Sequence, residues 1–296
     1  MEYAFQKIGL IGRTDSSRFS ESLSRITILF SSLDLPVMVE SHLADLMPGS
    51  GFDIASREEI GNECDLVVVL GGDGSMLGAA RLMARYKVPV LGINRGRLGF
   101  LTDISPDDIE DQVFSVLEGH FTTEKRFLLD VLVQREGQII GRADALNDVV
   151  VNSGTSAKMM EFDLYVDEVF VYRQRADGLI VSTPTGSTAY SLSGGGPIMH
   201  PRLDAIVLVP MYPHTLSSRP IVIDGSSEIR IDIGVENIIQ PPVICDGQVN
   251  LTALPGDSVC ISKKPDQLSL IHPVGHSFYA SCRDKLGWGS TLVDKK

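Results

Sequence analysis

An α/β N-terminal domain with a parallel sheet, followed by an all-β sandwich-like C-terminal domain, is the architecture this sequence predicts. Three observations carry it. From residue 7 to 122, apolar runs alternate with helical patterns, as strands of a doubly wound parallel sheet do when helices separate them. Beyond about Thr122, short runs rich in Val and Ile follow one another with turn signals between them, the pattern of a β-sandwich. The tail from Ser277 to Leu286 then reads as one more helix, expected to return to the first domain's sheet. The domains are accordingly expected at 1–122, with 272–296 packing back on it, and 123–271.

In chain order, Lys7–Ile11 is a short apolar strand, Ser20–Ser32 a periodic helix and Pro36–Val39 a second strand. Leu66-Val67-Val68-Val69-Leu70 reads as a buried parallel strand that runs through Gly71-Gly72-Asp73-Gly74 into the helical segment Ser75–Ala84. Val88–Ile93 is another strand, ended by Asn94-Arg95-Gly96-Arg97-Leu98-Gly99-Phe100-Leu101. Ser105 stands as an N-cap, with Pro106 at the first helical position and Asp107 and Asp108 in the first turn of a helix to about Glu118. The later strands are Phe127–Val133, Gln138–Asp144, Val149–Val151, Phe162–Val166, Val169–Gln174, Leu179–Ser182, Ile206–Val209, Ile229–Ile233, Val243–Cys245 and Val259–Ser262. A helix over Thr185–Leu192 interrupts them. In the tail, Ser277 is placed to cap the last helix and Gly287 to end it.

Composition excludes several classes. A formal charge of −12 over 296 residues argues against a nucleic-acid surface, which needs clustered Lys and Arg. No apolar run approaches the about 20 residues of a membrane span, and Met1–Gly12 has a strand pattern, not that of a signal peptide. The expected compartment is the cytoplasm. Cys64, Cys245, Cys260 and Cys282 show neither metal-ligand spacing nor a disulfide framework, and His200 and His214 read as structural loop residues.

Chemistry points to the glycine-rich stretches. Asp73 stands at the carboxyl end of a strand between glycines, so no Cβ keeps a phosphate or ribose from the backbone. The motif has neither the Gly-x-Gly-x-x-Gly spacing nor the Lys-Ser or Lys-Thr pair of a P-loop. Alone it reads equally as a turn. A second stretch, Asp177 to Pro197, sets many Ser and Thr hydroxyls around a strand-to-helix turn that suits phosphate or ribose oxygens. Asn147-Asp148 offers donor and acceptor side by side to a sugar diol, although such a pair is often a turn. Asp246-Gly247-Gln248 reads first as a hairpin turn. Lys158, Arg173 and Arg175 are candidate phosphate partners.

These segments, in this order, resemble the bacterial-type NAD kinases, most specifically through Thr183-Pro184-Thr185-Gly186-Ser187-Thr188-Ala189-Tyr190. The shorter Gly-Gly-Asp-Gly is similar to that of lipid kinases and phosphofructokinases as well. The resemblance implies ATP-dependent phosphorylation of the adenosine 2′-hydroxyl of NAD to NADP, with a divalent metal such as magnesium or manganese. It further implies a homodimer or homotetramer whose subunits help build the sites. By position, Asp73 would be the catalytic base, with Gly72 and Gly74 in its loop. Asn147 and Asp148 would hold ribose, and Thr188, Ala189, Tyr190, Ser191, Leu192 and Ser193 would line the dinucleotide site. Lys158, Arg175, Asp177 and Gln248 would be further contacts; Asp148 stands where many members carry glutamate.

Overall fold

The computed structural model describes residues 3–12, 17–94, 99–154 and 158–288. Strands and helices alternate at first: β1 (Ile8–Gly12), α1 (Ser17–Ser32), β2 (Val37–Glu40), α2 (Ser41–Ala44), β3 (Asp53–Ala55), α3 (Arg57–Glu63), β4 (Leu66–Leu70), α4 (Asp73–Tyr86) and β5 (Val90–Ile93). A 3₁₀ turn, Pro106–Asp108, leads into α5 (Ile109–Leu117). Then come β6 (Phe121–Arg135), β7 (Gln138–Ala145), β8 (Asp148–Asn152), β9 (Met160–Val166), β10 (Val169–Ala176) and β11 (Gly178–Ser182). After α6 (Tyr190–Ser193) follow β12 (Ala205–Met211), β13 (Ile221–Asp224), β14 (Ile229–Ile233), β15 (Pro242–Cys245), β16 (Val249–Thr252), β17 (Ser258–Pro273) and α7 (Phe278–Leu286). The chain divides into two compact units, Met1–Lys125 with Leu268–Lys296, and Arg126–Gln267.

In the first unit the strands run parallel in the order β3-β2-β1-β4-β5, with the end of β17 beside β5 through Leu270↔Val90 and Ile271↔Leu91. Every residue of β1 and β4 is buried, which explains why both read as unbroken apolar runs. On α1, Phe19, Leu23, Ile26 and Phe30 form one helical stripe; with Ile109, Val113 and Val116 of α5 they close a core against Leu10, Val68 and Leu91. The chain steps outward from β1 to β3 and returns to β4 on the other side of β1. The carboxyl ends of β1 and β4 thus flank the point where the winding reverses, where open sheets of this kind bind ligands.

The second unit is a sandwich of antiparallel strands. One sheet runs β13-β12-β11-β8-β15-β16; the other contains β10-β9-β14-β17, with β6 pairing β17 and β7. Alternate residues of facing strands make the core, among them Leu129, Val131, Val149, Val151, Leu179, Val181, Phe162 and Ile231. The intervening Val150, Ile180 and Val207 lie on the other face with Met199.

Several expectations need correction. The helix expected over Thr185–Leu192 is a 3₁₀ turn, Gly186–Thr188, and the short α6, separated by Ala189 in a non-helical conformation (φ −99°, ψ −128°). Ser277 occupies the N-cap position of α7 without a side-chain cap bond, whereas Gly287 does end that helix in the left-handed conformation (φ 66°). Elements that the pattern reading passed over are α2, β3, α3, β13 and β16. Of these, α3 opens on a full capping box: the Ser56 hydroxyl accepts the Glu59 N–H at 3.2 Å and the Glu59 carboxylate accepts the Ser56 N–H at 2.8 Å.

Removing that hydroxyl in Ser56→Ala should destabilise the protein by about 1 kcal/mol. A chemical denaturation midpoint equal to that of the parent would show that α3 does not depend on its cap.

Candidate active site

Leu70 ends β4, and Gly72 follows in an extended conformation (φ −91°, ψ −175°) as the N-cap of α4. Asp73 is the first residue of that helix, with Gly74 next to it in the first turn. The Asp73 carboxylate is held from the loop after β5: Oδ2 accepts the Phe100 N–H at 3.0 Å and Oδ1 accepts the Leu101 N–H at 3.1 Å. The Thr102 hydroxyl lies 3.5 Å from Oδ1 and itself accepts a bond of 3.0 Å from the Asn94 amide. A Cβ at Gly99 would overlap Asp73 Oδ1, so this approach requires glycine there. Around Gly72, in contrast, a Cβ would meet nothing within 4 Å among the described residues. Of the stretch Asn94 to Leu101, Arg95, Gly96, Arg97 and Leu98 lie outside the described residues.

The second unit carries a separate constellation. Asp246 and Gly247, both at positive φ (54° and 65°), begin the three-residue turn between β15 and β16 that Gln248 completes. The Asp246 carboxylate accepts three successive backbone N–H groups, those of Leu146 at 3.0 Å, Asn147 at 2.7 Å and Asp148 at 3.3 Å. A hairpin turn therefore also fixes Asn147 and Asp148 at the mouth of β8. Asn147 Oδ1 is buried and finds no hydrogen-bond partner among the described residues. Burial pushes the Asp148 carboxyl up to about 7; the nearby Asp246 adds to this, and the Tyr190 N–H opposes it. A cavity of about 360 Å³ is lined by Asn147, Asp148, Asn152, Ala189, Tyr190 and Asp246. An unpaired acceptor, a carboxyl poised near neutrality and a half-exposed tyrosine ring suit a sugar diol and a flat apolar partner.

Other expected residues lie apart from this cavity. Lys158 and Arg175 come together with Glu161 and Asn237 around a different one, of about 470 Å³. Arg173 forms an exposed two-bond ion pair with Asp163. Asp177 bridges strands through its peptide, its N–H donating to Met211 and its carbonyl accepting from Ser153. Gln248 is exposed at the end of that turn, its N–H donating to the Cys245 carbonyl at 3.0 Å. Tyr190 and Ser193 also line a third cavity, of about 380 Å³, with Tyr212 and Arg219.

Most hydroxyls of the second glycine-rich stretch serve the backbone. Thr183 donates to the Leu146 carbonyl at 2.6 Å, Ser187 to Pro184 at 2.7 Å and Thr188 to Thr185 at 3.3 Å. Ser191 Oγ is buried with no hydrogen-bond partner among the described residues, and Leu192 is half-buried beside it. The multiplicity of hydroxyls thus reflects a tightly bonded turn. Sequence reasoning missed the anchoring by Asp246 and by the Phe100–Thr102 segment, because the partners are 98–100 and 27–29 residues apart.

Known proteins resemble this chain over nearly its whole length. Residues 52–121 match the ATP-NAD kinase N-terminal domain, and 146–273 match the ATP-NAD kinase C-terminal domain. NAD kinases of Ectopseudomonas mendocina and Azotobacter vinelandii are each 58% identical over 288 residues, 97% of this chain and 98% of theirs. Among solved structures, yeast NADH kinase complexed with NADH superposes with a TM-score of 0.88 at 27% identity, covering 98% of this chain and 90% of that one. An NAD kinase from Archaeoglobus fulgidus in complex with ATP gives 0.70 at 28% identity, covering 94% and 99%. With both family domains matched in order and most aligned residues shared with bacterial NAD kinases along nearly the whole length, the chain belongs to the ATP-NAD kinase family.

Proposed function

We propose that this enzyme transfers the terminal phosphoryl group of ATP to the adenosine 2′-hydroxyl of NAD, giving NADP, with Asp73 as the catalytic base. The observation that carries the assignment of Asp73 is a carboxylate at the carboxyl end of β4, oriented by two peptide N–H groups beside Gly72, where a Cβ would meet nothing within 4 Å among the described residues. The near-full-length likeness to NAD kinases, and to relatives solved with NADH and with ATP, supports the two substrates.

In this reaction the 2′-oxygen forms a bond to the terminal phosphorus while the bridging bond to the middle phosphate breaks and ADP leaves. The hydroxyl proton passes to Asp73. Because such transition states are loose, positioning and charge stabilisation supply most of the rate. Asn147 and Asp148 would orient a ribose diol by accepting its hydroxyl protons, and Tyr190 would pack on an apolar ligand face. Thr188, Ala189, Ser191, Leu192 and Ser193 would shape the same pocket, with Lys158, Arg175, Asp177 and Gln248 as outer contacts. Magnesium or manganese takes mainly phosphate and water oxygens and needs few protein ligands. Asp73 Oδ2 fits that demand, since among the described residues it accepts only the Phe100 N–H, whereas Oδ1 accepts both the Leu101 N–H and the Thr102 hydroxyl. Such an ion supplies neutralisation of the phosphate charge.

A homodimer or homotetramer belongs to the same reading. Its support is the β9–β10 hairpin, where β10 lies at a sheet edge with Val169, Phe170 and Val171 exposed. No helix among the described residues is long and apolar enough to cross a membrane; a cytoplasmic setting is part of the proposal.

Incubated with NAD, ATP and magnesium, the protein should form NADP, and Asp73→Asn should keep its fold while losing about 100-fold or more in turnover. Near-parental turnover would remove Asp73 from the base role. Gly72→Val should fold, since its backbone is extended and a Cβ there meets nothing within 4 Å among the described residues, yet lose about 100-fold in activity by blocking ligand approach; normal kinetics would reduce the loop to a turn. Because the ionised carboxylate accepts hydroxyl protons best, NAD affinity should rise with pH through about 7, the value to which Asp148 is pushed. Asp148→Asn should flatten that dependence, and a pH-independent parental affinity between about 6 and 8 would exclude the contact.

A further inference from the structure

Three ligating side chains to which no role has been assigned converge in the first unit. Asp103 follows the Phe100–Thr102 segment, His272 lies near the end of β17, and His276 sits on the turn just beyond it. The turn folds back on itself, with the His276 N–H donating to the Pro273 carbonyl at 3.2 Å and Gly275 at φ 96°. The two imidazoles stack with centroids 4.1 Å apart and planes 15° from parallel. Each presents its Nδ1 to a different oxygen of Asp103, His276 at 3.1 Å and His272 closer. One ligand atom from each residue falls within 4.8 Å of the others.

We propose that Asp103, His272 and His276 bind a divalent first-row transition ion, with Zn²⁺ as its representative, at a site separate from the hard ion that accompanies ATP. Two imidazole nitrogens and one carboxylate oxygen are a donor set for zinc and its neighbours, whereas magnesium prefers oxygens alone. The His272-x₃-His276 spacing is that of a zinc-ligand pair. His272 is 1% exposed, and its Nε2 lacks a hydrogen-bond partner among the described residues, with Glu124 3.8 Å away. A carboxylate behind the far nitrogen is the outer partner that metal-bound histidines commonly have. A cavity of about 250 Å³, lined by Asp103, His276, Ser105, Asp108 and Ser277, gives an entry path and room for a water ligand. Since Thr102 touches Asp73, an ion on Asp103 would brace the end of the loop that holds the proposed base.

The test is titration of the chelator-treated full-length protein with Zn²⁺, without nucleotide, against a chromophoric competitor. The parent should take up one ion per chain, and His276→Gln should bind it at least about 10-fold more weakly. Absent uptake by the parent, or equal affinity in both proteins, would overturn the proposal. A zinc-edge absorption spectrum of the loaded parent reads the ligands without any variant: nitrogen and oxygen with two imidazoles are expected, and sulfur ligation would move the ion to a cysteine and refute the site.

Discussion

The Asp73 loop of the first unit depends on one interaction, the acceptance of the Phe100 and Leu101 N–H groups by the two oxygens of Asp73. It fixes the carboxylate in orientation and simultaneously folds the loop after β5 around it. The remaining details serve this contact. Glycine at 99 lets the loop approach, Asn94 orients Thr102, and the parallel pairing of β4 with β5 brings the two strand ends side by side. An acid in the first turn of α4 also matches the positive end of the helix dipole. Beside it, a Cβ at Gly72 would meet nothing within 4 Å among the described residues.

The second unit uses the same device for a different purpose. Asp246, also between short turns and strands, gathers the N–H groups of Leu146, Asn147 and Asp148. Here the gathering acid serves as scaffold, and the residues that it positions face the cavity. The consequence is electrostatic: two carboxyls share a buried region, and Asp148 holds its proton up to about pH 7. An acceptor left unpaired in a buried setting is costly unless a ligand satisfies it, and Asn147 Oδ1 is such a group.

What could be read from the sequence follows from how local each signal is. The buried parallel strands were legible because Leu66–Leu70 is apolar on both faces, and the sandwich strands because their burial alternates. The position of Asp73 at the end of β4 was legible from the apolar run and the glycines that follow it, although those glycines alone read equally as a turn. Strands β3 and β13 were not, since much of each is exposed and carries no alternation to detect. The capping box of α3 was present in the sequence at Ser56 and Glu59 and was passed over. The hydrogen bonds of Thr183 to the Leu146 carbonyl and of the Met199 N–H to Ser187 join residues 37 and 12 positions apart, which no local pattern encodes. Asp246 shows a different limit: its turn was legible, its three acceptor bonds to residues about a hundred positions away were not.

The proposed reaction requires a sugar oxygen to meet Asp73, and a structure of this protein with NAD bound measures that most directly. The adenosine 2′-oxygen should lie within hydrogen-bond reach of an Asp73 carboxylate oxygen, about 2.6–3.2 Å. A fully occupied dinucleotide with that ribose bound elsewhere, and its 2′-oxygen turned from Asp73, would contradict it.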